Sequence, residues 1–395
     1  MTVYIAGKGV ISAIGRNMTE NRQQLLAGKT GVGKFAILPT QHQHTLPVAE
    51  VKFTNSELAQ MAGLDERLPR TALLSSIAAQ EAVQQSGLDI SRYRCAFISA
   101  NTVGGMDRTE HFFQEFLTDF SKGHLHEVVH HDCGAATEII AEQLQINHYV
   151  NTISTACSSS VNAIMTGARL IRSGRIDVAV CGGADSLCRF TLNGFKSLMI
   201  LDDQFCQPYD DNRRGLNLGE GAGYVVLVSE AVAALMAQAP VTKISGYANT
   251  NDAFHQTASS PEGKGNFMAM QGALQMAQLQ PEAIDYINLH GTGTGNNDVS
   301  EGTAVMRLFG DRLPRLSSTK PYTGHTLAAS GAIEAAYSLL AIEEGVVFPN
   351  LRFETQMKEL NFSPQQQVEF MPVKHVLSNS FGFGGNCSSI IFSAA

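Results

Sequence analysis

Tryptophan is absent from this 395-residue chain, and charged residues make up only 16% of it against 44% apolar. That balance excludes a solvent-swollen disordered chain and points to a well-buried globular protein. No run of Lys or Arg occurs, and the formal net charge is -8. General nucleic-acid binding is therefore disfavoured, and an acidic partner would have to be met by a local basic patch. No stretch is long and apolar enough for a membrane span. The start, MTVYIAGKGV, has no charged region followed by a long apolar run, so a cytoplasmic location is expected. The seven cysteines, at 95, 133, 157, 181, 188, 206 and 387, are odd in number and lack CxxC spacing. Neither a disulfide framework nor a zinc site is indicated. What is plentiful is glycine, with 36 residues, the mark of a turn-rich chain. Its length suits two domains or one large duplicated α/β unit.

The ten residues NTISTACSSS, 151 to 160, stand out. Residues 148 to 155 are rich in Val, Ile and Thr, which predicts a buried strand; Val161, Ile164, Met165, Ala168 and Ile171 then recur at helical spacing until Ser173-Gly174. Cys157 falls on the turn between them, at a helix N-terminus. Unpaired N–H groups and the helix dipole there favour a thiolate and can bind an oxyanion, and the small neighbours leave room for a substrate. The competing reading is a small buried hydrophobe.

Elsewhere the chain alternates strands and helices, which implies α/β layering with largely parallel strands. The early GKGVISAIG is a poor dinucleotide-binding turn, because Ser12 stands where the third glycine belongs and no acidic residue closes a second strand. A helix is expected in the segment 64 to 87, preceded by Arg67 and Arg70, and a buried strand at 95 to 100. The stretch from Thr109 to His131 is polar and His-rich. His124, His126, His130 and His131 are read as solvated surface in preference to metal ligands, since no Cys and only two carboxylates lie close by. The composition changes around 233 to 240, which divides the chain into halves of residues 1–235 and 236–395. Strands at 241 to 247 and 285 to 289 and a helix at 265 to 276 repeat the grammar in the second half.

Two histidines end strands there. His290 opens HGTGTGNND, after which Asp298 and Glu301 read as the N-terminal cap of a helix over 299 to 309. His325 lies in KPYTGHTLAASGAIE, just before another helix. One histidine beside glycine is unremarkable; two, with an isolated Cys at a strand-to-helix turn, are hard to explain by packing. Glu334, in an otherwise apolar helix, needs a partner or a raised pKa, and Lys320 is a candidate for a buried ion pair.

STACSSS, HGTGTG, KPYTGH with GAIE behind it, and NSFGFGG at 379 to 385 stand in the order found in elongating β-ketoacyl-acyl-carrier-protein synthases of the thiolase-like superfamily, which the whole chain resembles. The resemblance implies a five-layered αβαβα fold of two related halves. The Cys-His-His set resembles the decarboxylating class, whereas priming-type synthases have Asn for one His, degradative thiolases use a second Cys, and chain-length partner subunits lack the nucleophile. It further implies that Cys157 takes an acyl chain from a carrier protein, and that His290 and His325 hold the carbonyl oxygen of a malonyl thioester as carbon dioxide leaves. Cys157 and Phe383 would supply an oxyanion hole. Lys320 and Glu334 would be a supporting pair, and Phe383 a gate. Thr292, Thr294 and Phe381 would meet the substrate arm and acyl group. No metal or nucleotide cofactor is implied, the substrates riding on a phosphopantetheine arm. The implied partners are an acidic acyl carrier protein, docking near Arg67, Arg70, Arg213 and Arg214, and a second subunit, either identical or a nucleophile-lacking homologue, paired along the NTIST strand. A catalytically silent interaction subunit is the alternative.

Three segments depart from the family pattern: Gly295 replaces the usual proline, Asn386-Cys387 the usual Thr-Asn, and Arg214-Gly215-Leu216 the usual Asp-Gly-Phe. The segment before the nucleophile strand, with His130, His131 and Asp132, is polar where an oily acyl-pocket end is usual. Fatty-acid and type II polyketide or aryl-polyene chains thus both remain open as substrates, with a modest preference for the second, and so does a surface shift of this loop.

Overall fold

Unbroken apolar runs such as VAVCGGAD and GAGYVVLVS require strands buried on both faces, and such strands form the centre of the molecule. The computed structural model describes all 395 residues. Its strands are β1 (Val3–Ser12), β2 (Cys95–Ala100), β3 (Tyr149–Ile153), β4 (Val178–Asp185), β5 (Gly221–Ser229), β6 (Thr242–Asn251), β7 (Tyr286–Asn288), β8 (Arg315–Ser317), β9 (Val346–Val347), β10 (Glu369–Phe370), β11 (His375–Phe381) and β12 (Asn386–Ala394). Ten of them hydrogen-bond in the order β3-β2-β4-β5-β1-β6-β12-β11-β7-β8, while β9 and β10 pair separately. The first five therefore lie on one side of the β1–β6 junction and the remainder on the other.

Helices complete the layering. Arg70–Ser86 covers β1, β4 and β5 from outside; Lys264–Ala277 covers β6 and β12, with Gly295–Phe309 packed on it. Ser159–Arg172 and Ser330–Glu344 pack on each other and touch strands of both halves. They form the middle of an αβαβα stack, so strands of both halves pack on the same central helices. The glycines of the early GKG segment serve this packing: a Cβ on Gly7 or Gly9 would lie 2.2 Å from the Ala82 or Ala78 carbonyl oxygen.

Two strand expectations are corrected. The sheet is mixed: β2–β3, β2–β4, β7–β11 and β7–β8 are parallel, but β1–β5, β1–β6, β4–β5, β6–β12 and β11–β12 are antiparallel. Strand–helix alternation in sequence does not fix direction where long loops return the chain. The strand before Cys157 is not buried either. It is β3, at the end of the sheet order, with Asn151 exposed and Val150 38% exposed. Val, Ile and Thr suit an edge strand as well as a central one.

Candidate active site

Cys157 lies between β3 and the helix Ser159–Arg172, two residues ahead of the first helical position. The turn holds Ala156 at φ +55°, a left-handed conformation that a residue with a Cβ adopts at a cost, and one typical of functional turns. Ser159 Oγ accepts the Thr155 N–H and donates to the Ala156 carbonyl, which fixes the turn from inside the helix. The Cys157 sulfur and one ring nitrogen each of His290 and His325 lie within 4.8 Å of one another, all buried. The two imidazoles meet edge to face, with ring centroids 5.4 Å apart.

His290 follows β7 on a loop held by two buried carboxylates. Glu301 accepts the N–H groups of His290 and Gly291 at 2.8 and 2.9 Å, and Asp298 accepts those of Thr292, Gly293 and Tyr209. The Tyr209 hydroxyl donates to Glu301 at 2.7 Å. These carboxylates were expected to cap a helix starting at 299. The helix instead begins at Gly295 with no side-chain cap bond, and its acidic face organises the catalytic loop.

Behind the histidines, Lys320 Nζ donates to Glu334 and to the His290 carbonyl, each at 2.6 Å, and lies 3.2 Å from His290 Nδ1. The Lys320–Glu334 pair is buried on both sides, as the isolated Glu in an apolar helix required. Burial raises Glu334 to about 7, opposed by the Lys320 ammonium. At His325 the Leu327 N–H donates to Nδ1 at 3.0 Å. Both Nδ1 atoms thus face donors, so the hydrogen-bond network assigns each neutral ring the tautomer with its proton on Nε2. Burial and the nearby Lys320 charge push both histidines well below their ordinary pKa, keeping them neutral at pH 7. Cys157, His290 and His325 meet the distance test for a metal triad, but an Nε2 that carries a proton offers a donor where a metal needs a lone pair. The arrangement fits an anionic oxygen better.

The thiolate expected at a helix N-terminus is corrected by burial. Desolvation pushes the Cys157 thiol up to about 11, against the opposing pull of Lys320, the Phe383 N–H and its own N–H. The free enzyme therefore holds a protonated thiol. Its inactivation rate with iodoacetamide should rise about tenfold per pH unit from pH 7 to 9, tracking the thiolate fraction. A plateau from pH 7 upward would show a thiolate already formed.

The remaining site residues divide. Thr292 and Thr294 hydroxyls lie 2.9 Å apart at the mouth of the His290 loop. Phe383 is half-buried and stacks on Phe195, with centroids 5.8 Å apart. Phe381 is buried with Ala269 and Cys387 and abuts the His290 ring, which it backs. Arg70 is also corrected: it is 6% exposed and forked onto Glu220, which removes it from any docking face. Arg67 is exposed and paired with Asp65, and Arg214 with Asp202 and Asp203, while Arg213 caps the Asp210 and Gly295 carbonyls. His124, His126 and His131 are exposed, and His131 Nδ1 lies 2.8 Å from the Thr109 hydroxyl.

Sequence reasoning missed Asp185 and Tyr209, and met Asn386 only as a departure from the family pattern. The Asn386 side-chain oxygen accepts from Ser158 Oγ, Asn162 and Asn249 at 2.6, 3.0 and 2.7 Å, tying the nucleophile turn to the start of β12. The unusual Asn in GFGGNC is thus a connector between the turn that bears Cys157 and the loop that bears Phe383. Asp185 carried a readable signal: a lone carboxylate ending a strand of small apolar residues.

Comparison with known proteins follows the same lines. The family model for the N-terminal domain of beta-ketoacyl synthase matches residues 1–233, and that for the C-terminal domain matches residues 241–354. A 3-oxoacyl-[acyl-carrier-protein] synthase 2 of Staphylococcus aureus (strain COL) is 30% identical over 407 residues, covering 99% of this chain and 97% of that protein. Nodulation protein E of Rhizobium meliloti (strain 1021) is 32% identical over 402 residues, covering 99% and 98%. Among solved structures, the ishigamide ketosynthase/chain length factor is similar with a TM-score of 0.93 at 30% identity, covering 100% of this chain and 99% of that one. The ketosynthase ApeO in complex with its chain length factor ApeC from Xenorhabdus doucetiae gives 0.87 at 30% identity, covering 100% and 98%.

Proposed function

The chain belongs to the beta-ketoacyl synthase family, a condensing enzyme of fatty-acid or polyketide chain extension with a thiolase-like fold, and from that premise we propose how its own residues carry the reaction. The observation that supports the reading most is the convergence of Cys157 with two neutral imidazoles that both offer Nε2–H.

In the first half-reaction the Cys157 sulfur attacks the thioester of an acyl chain on a carrier protein. A carbon–sulfur bond forms, the carrier sulfur departs, and the Cys157 proton ends on the departing thiol. A malonyl thioester then enters with its carbonyl oxygen between His290 and His325. The bond to its carboxylate breaks, carbon dioxide leaves, and the electron pair becomes an enolate held by two N–H donors. The enolate carbon attacks the acyl-Cys carbonyl, whose developing oxyanion faces the N–H groups of Cys157 and Phe383. Collapse releases the β-ketoacyl product and the Cys157 thiolate, which takes up a proton. Lys320 keeps His290 in its donating tautomer, and Glu334 holds Lys320 in place. The assembled triad supports this active reading over a catalytically silent subunit. The reading calls on no metal or nucleotide and suits a cytoplasmic enzyme. Arg67, Arg213 and Arg214 remain the carrier-docking positions, as rim charges that act on encounter.

For the acyl chain we favour a polar or unsaturated type II polyketide substrate, of aryl-polyene kind. The loop His130–Asp132 is tied to the nucleophile half by the Gly105 N–H, bonded to the His131 carbonyl, and by Asn101, bonded to the Cys133 carbonyl. His131 and Asp132 are exposed on this chain, so a second subunit, identical or nucleophile-lacking, paired along β3 would receive these polar groups. Competition between saturated and aryl-polyene acyl carriers, read by product mass in the presence of malonyl carrier, is expected to favour the aryl-polyene chain by roughly tenfold or more, a hydrogen-bonding pocket end discriminating against a chain that leaves it unpaired. A clear preference for saturated chains by this chain alone would overturn it.

A further inference from the structure

We propose that Asp185 is a positioning residue for His325, fixing through the Leu327–Ala328 turn which imidazole nitrogen carries the proton; the inference rests on the decarboxylating reading of the site. Asp185 ends β4 and is 0% exposed. Its partners are the Thr102 N–H at 2.9 Å, the Thr102 hydroxyl at 2.6 Å, the Val103 N–H at 3.0 Å and the Ala328 N–H at 2.8 Å. None is a cation. A carboxylate buried without a counter-charge persists only where several donors are aimed at it, and such an investment in one backbone position asks what that position does.

The answer lies one residue upstream. Leu327 is held at φ +51°, a conformation that a branched side chain rarely adopts. Its N–H donates to His325 Nδ1, so a change in its φ must move either that N–H or the chain that follows it. The Ala328 N–H belongs to the peptide plane that follows the Leu327 Cα, so anchoring it on Asp185 fixes the backbone rotation of Leu327. Three of the carboxylate's donors come from the first half of the chain and the fourth from the second, which sets the His325 turn against a fixed frame. With the anchor lost, Leu327 can relax to the ordinary helical region and Nδ1 loses its nearer donor, keeping only the Ser330 hydroxyl at 3.4 Å. The imidazole is then free to move its proton to Nδ1, leaving an Nε2 lone pair where the enolate oxygen needs a donor. A purely structural tie between halves would not depend on the tautomer of His325.

The test uses the full chain, with histidine nitrogens labelled with 15N, as wild type and as Asp185→Asn. The amide retains one acceptor but presents an NH2 to donors that already point at it. Wild type should show His325 as the neutral Nε2–H form. In the variant the His325 signals should shift toward a mixture of tautomers, and carbon dioxide release from malonyl carrier should fall about 100-fold, the scale expected for a misplaced catalytic group. Transfer of an acyl group to Cys157, followed by intact mass, should be nearly unchanged. Asp185→Glu, which keeps the charge, should recover part of the decarboxylation. Unchanged tautomer and decarboxylation would overturn the proposal, as would a parallel loss of both half-reactions with thermal stability. If Asp185→Asn does not fold, Thr102→Val removes one donor and must move the same histidine signal by a smaller amount; no movement overturns the idea. A wild type that neither acylates nor decarboxylates would instead overturn the condensing reading itself.

Discussion

Cys157→Ala is expected to abolish condensation, by about four orders of magnitude or more, the scale seen when a covalent nucleophile is removed. The other six cysteines cannot substitute. Cys157 and Cys133 are both raised to about 11, so acidity does not set the nucleophile apart; place does, since none of the six shares the pocket with two imidazoles. The fold should survive, because replacing the sulfur by hydrogen in a small buried side chain costs about 1 kcal/mol, the cavity term being small. Intact mass after incubation with acyl carrier should show the acyl increment on wild type and none on the variant. Decarboxylation of malonyl carrier should persist at a measurable rate, since His290, His325 and the Lys320–Glu334 pair are untouched. An acyl increment of normal size and rate on Cys157→Ala would remove Cys157 from the mechanism.

The complementary result is expected from the histidines. His290→Ala and His325→Ala should each lower decarboxylation about 10²- to 10³-fold, the range for losing one preorganised oxyanion donor, while Cys157 still takes an acyl group. The asymmetry follows from position. Lys320 retains Glu334 and the His290 carbonyl when the His290 imidazole goes, so the ion pair is not orphaned. The N–H groups of Cys157 and Phe383 serve the acyl carbonyl without either imidazole. Both histidines are held well below their ordinary pKa, so each is already neutral at pH 7 and stays neutral as pH rises; lowering pH protonates it only below that depressed value. The histidines should therefore put no acid limb near 6.5 into wild-type decarboxylation, and a change between pH 6.5 and 8 would report Glu334, raised to about 7 beside Lys320. Loss of acyl transfer with decarboxylation intact would reverse the assignment of roles.

Much of this site was legible in the chain because its chemistry is concentrated in short segments. A cysteine on a strand-to-helix turn, two strand-end histidines, and a glutamate alone in an apolar helix can each be read from neighbours a few residues away. What escaped was set by partners far off in sequence. Asp185 binds the Ala328 N–H 143 positions downstream, and Glu220 buries Arg70 150 positions upstream. No local pattern distinguishes that Arg70 from a surface charge. Asp298 and Glu301 looked like a helix cap because acidic residues near a helix start usually are one; here the N–H groups they satisfy belong to the loop before the helix and to Tyr209. Burial likewise defeated the inference about Cys157, since a helix N-terminus is visible in sequence while the desolvation of one sulfur is not. That β3 is an edge strand came from the resemblance alone: strand propensity records a preference for extended backbone and not the number of neighbours.

The place of β12 in the sheet has a consequence for how the enzyme comes into being. It is the last of the twelve strands in the chain, yet it inserts between β6 and β11, and its first residue, Asn386, is bonded to the turn of Cys157. During synthesis the nucleophile emerges more than two hundred residues before the strand that braces it. At about 5–20 residues per second that interval lasts some tens of seconds. A nascent chain therefore carries its cysteine without the Phe383 N–H, without either histidine and with an open gap in the sheet. Contacts of such long sequence separation also close slowly. Reactivity is thus deferred until synthesis is almost complete, and β6 meanwhile waits for its β12 partner as an unpaired edge, the interval in which this chain most needs protection from aggregation.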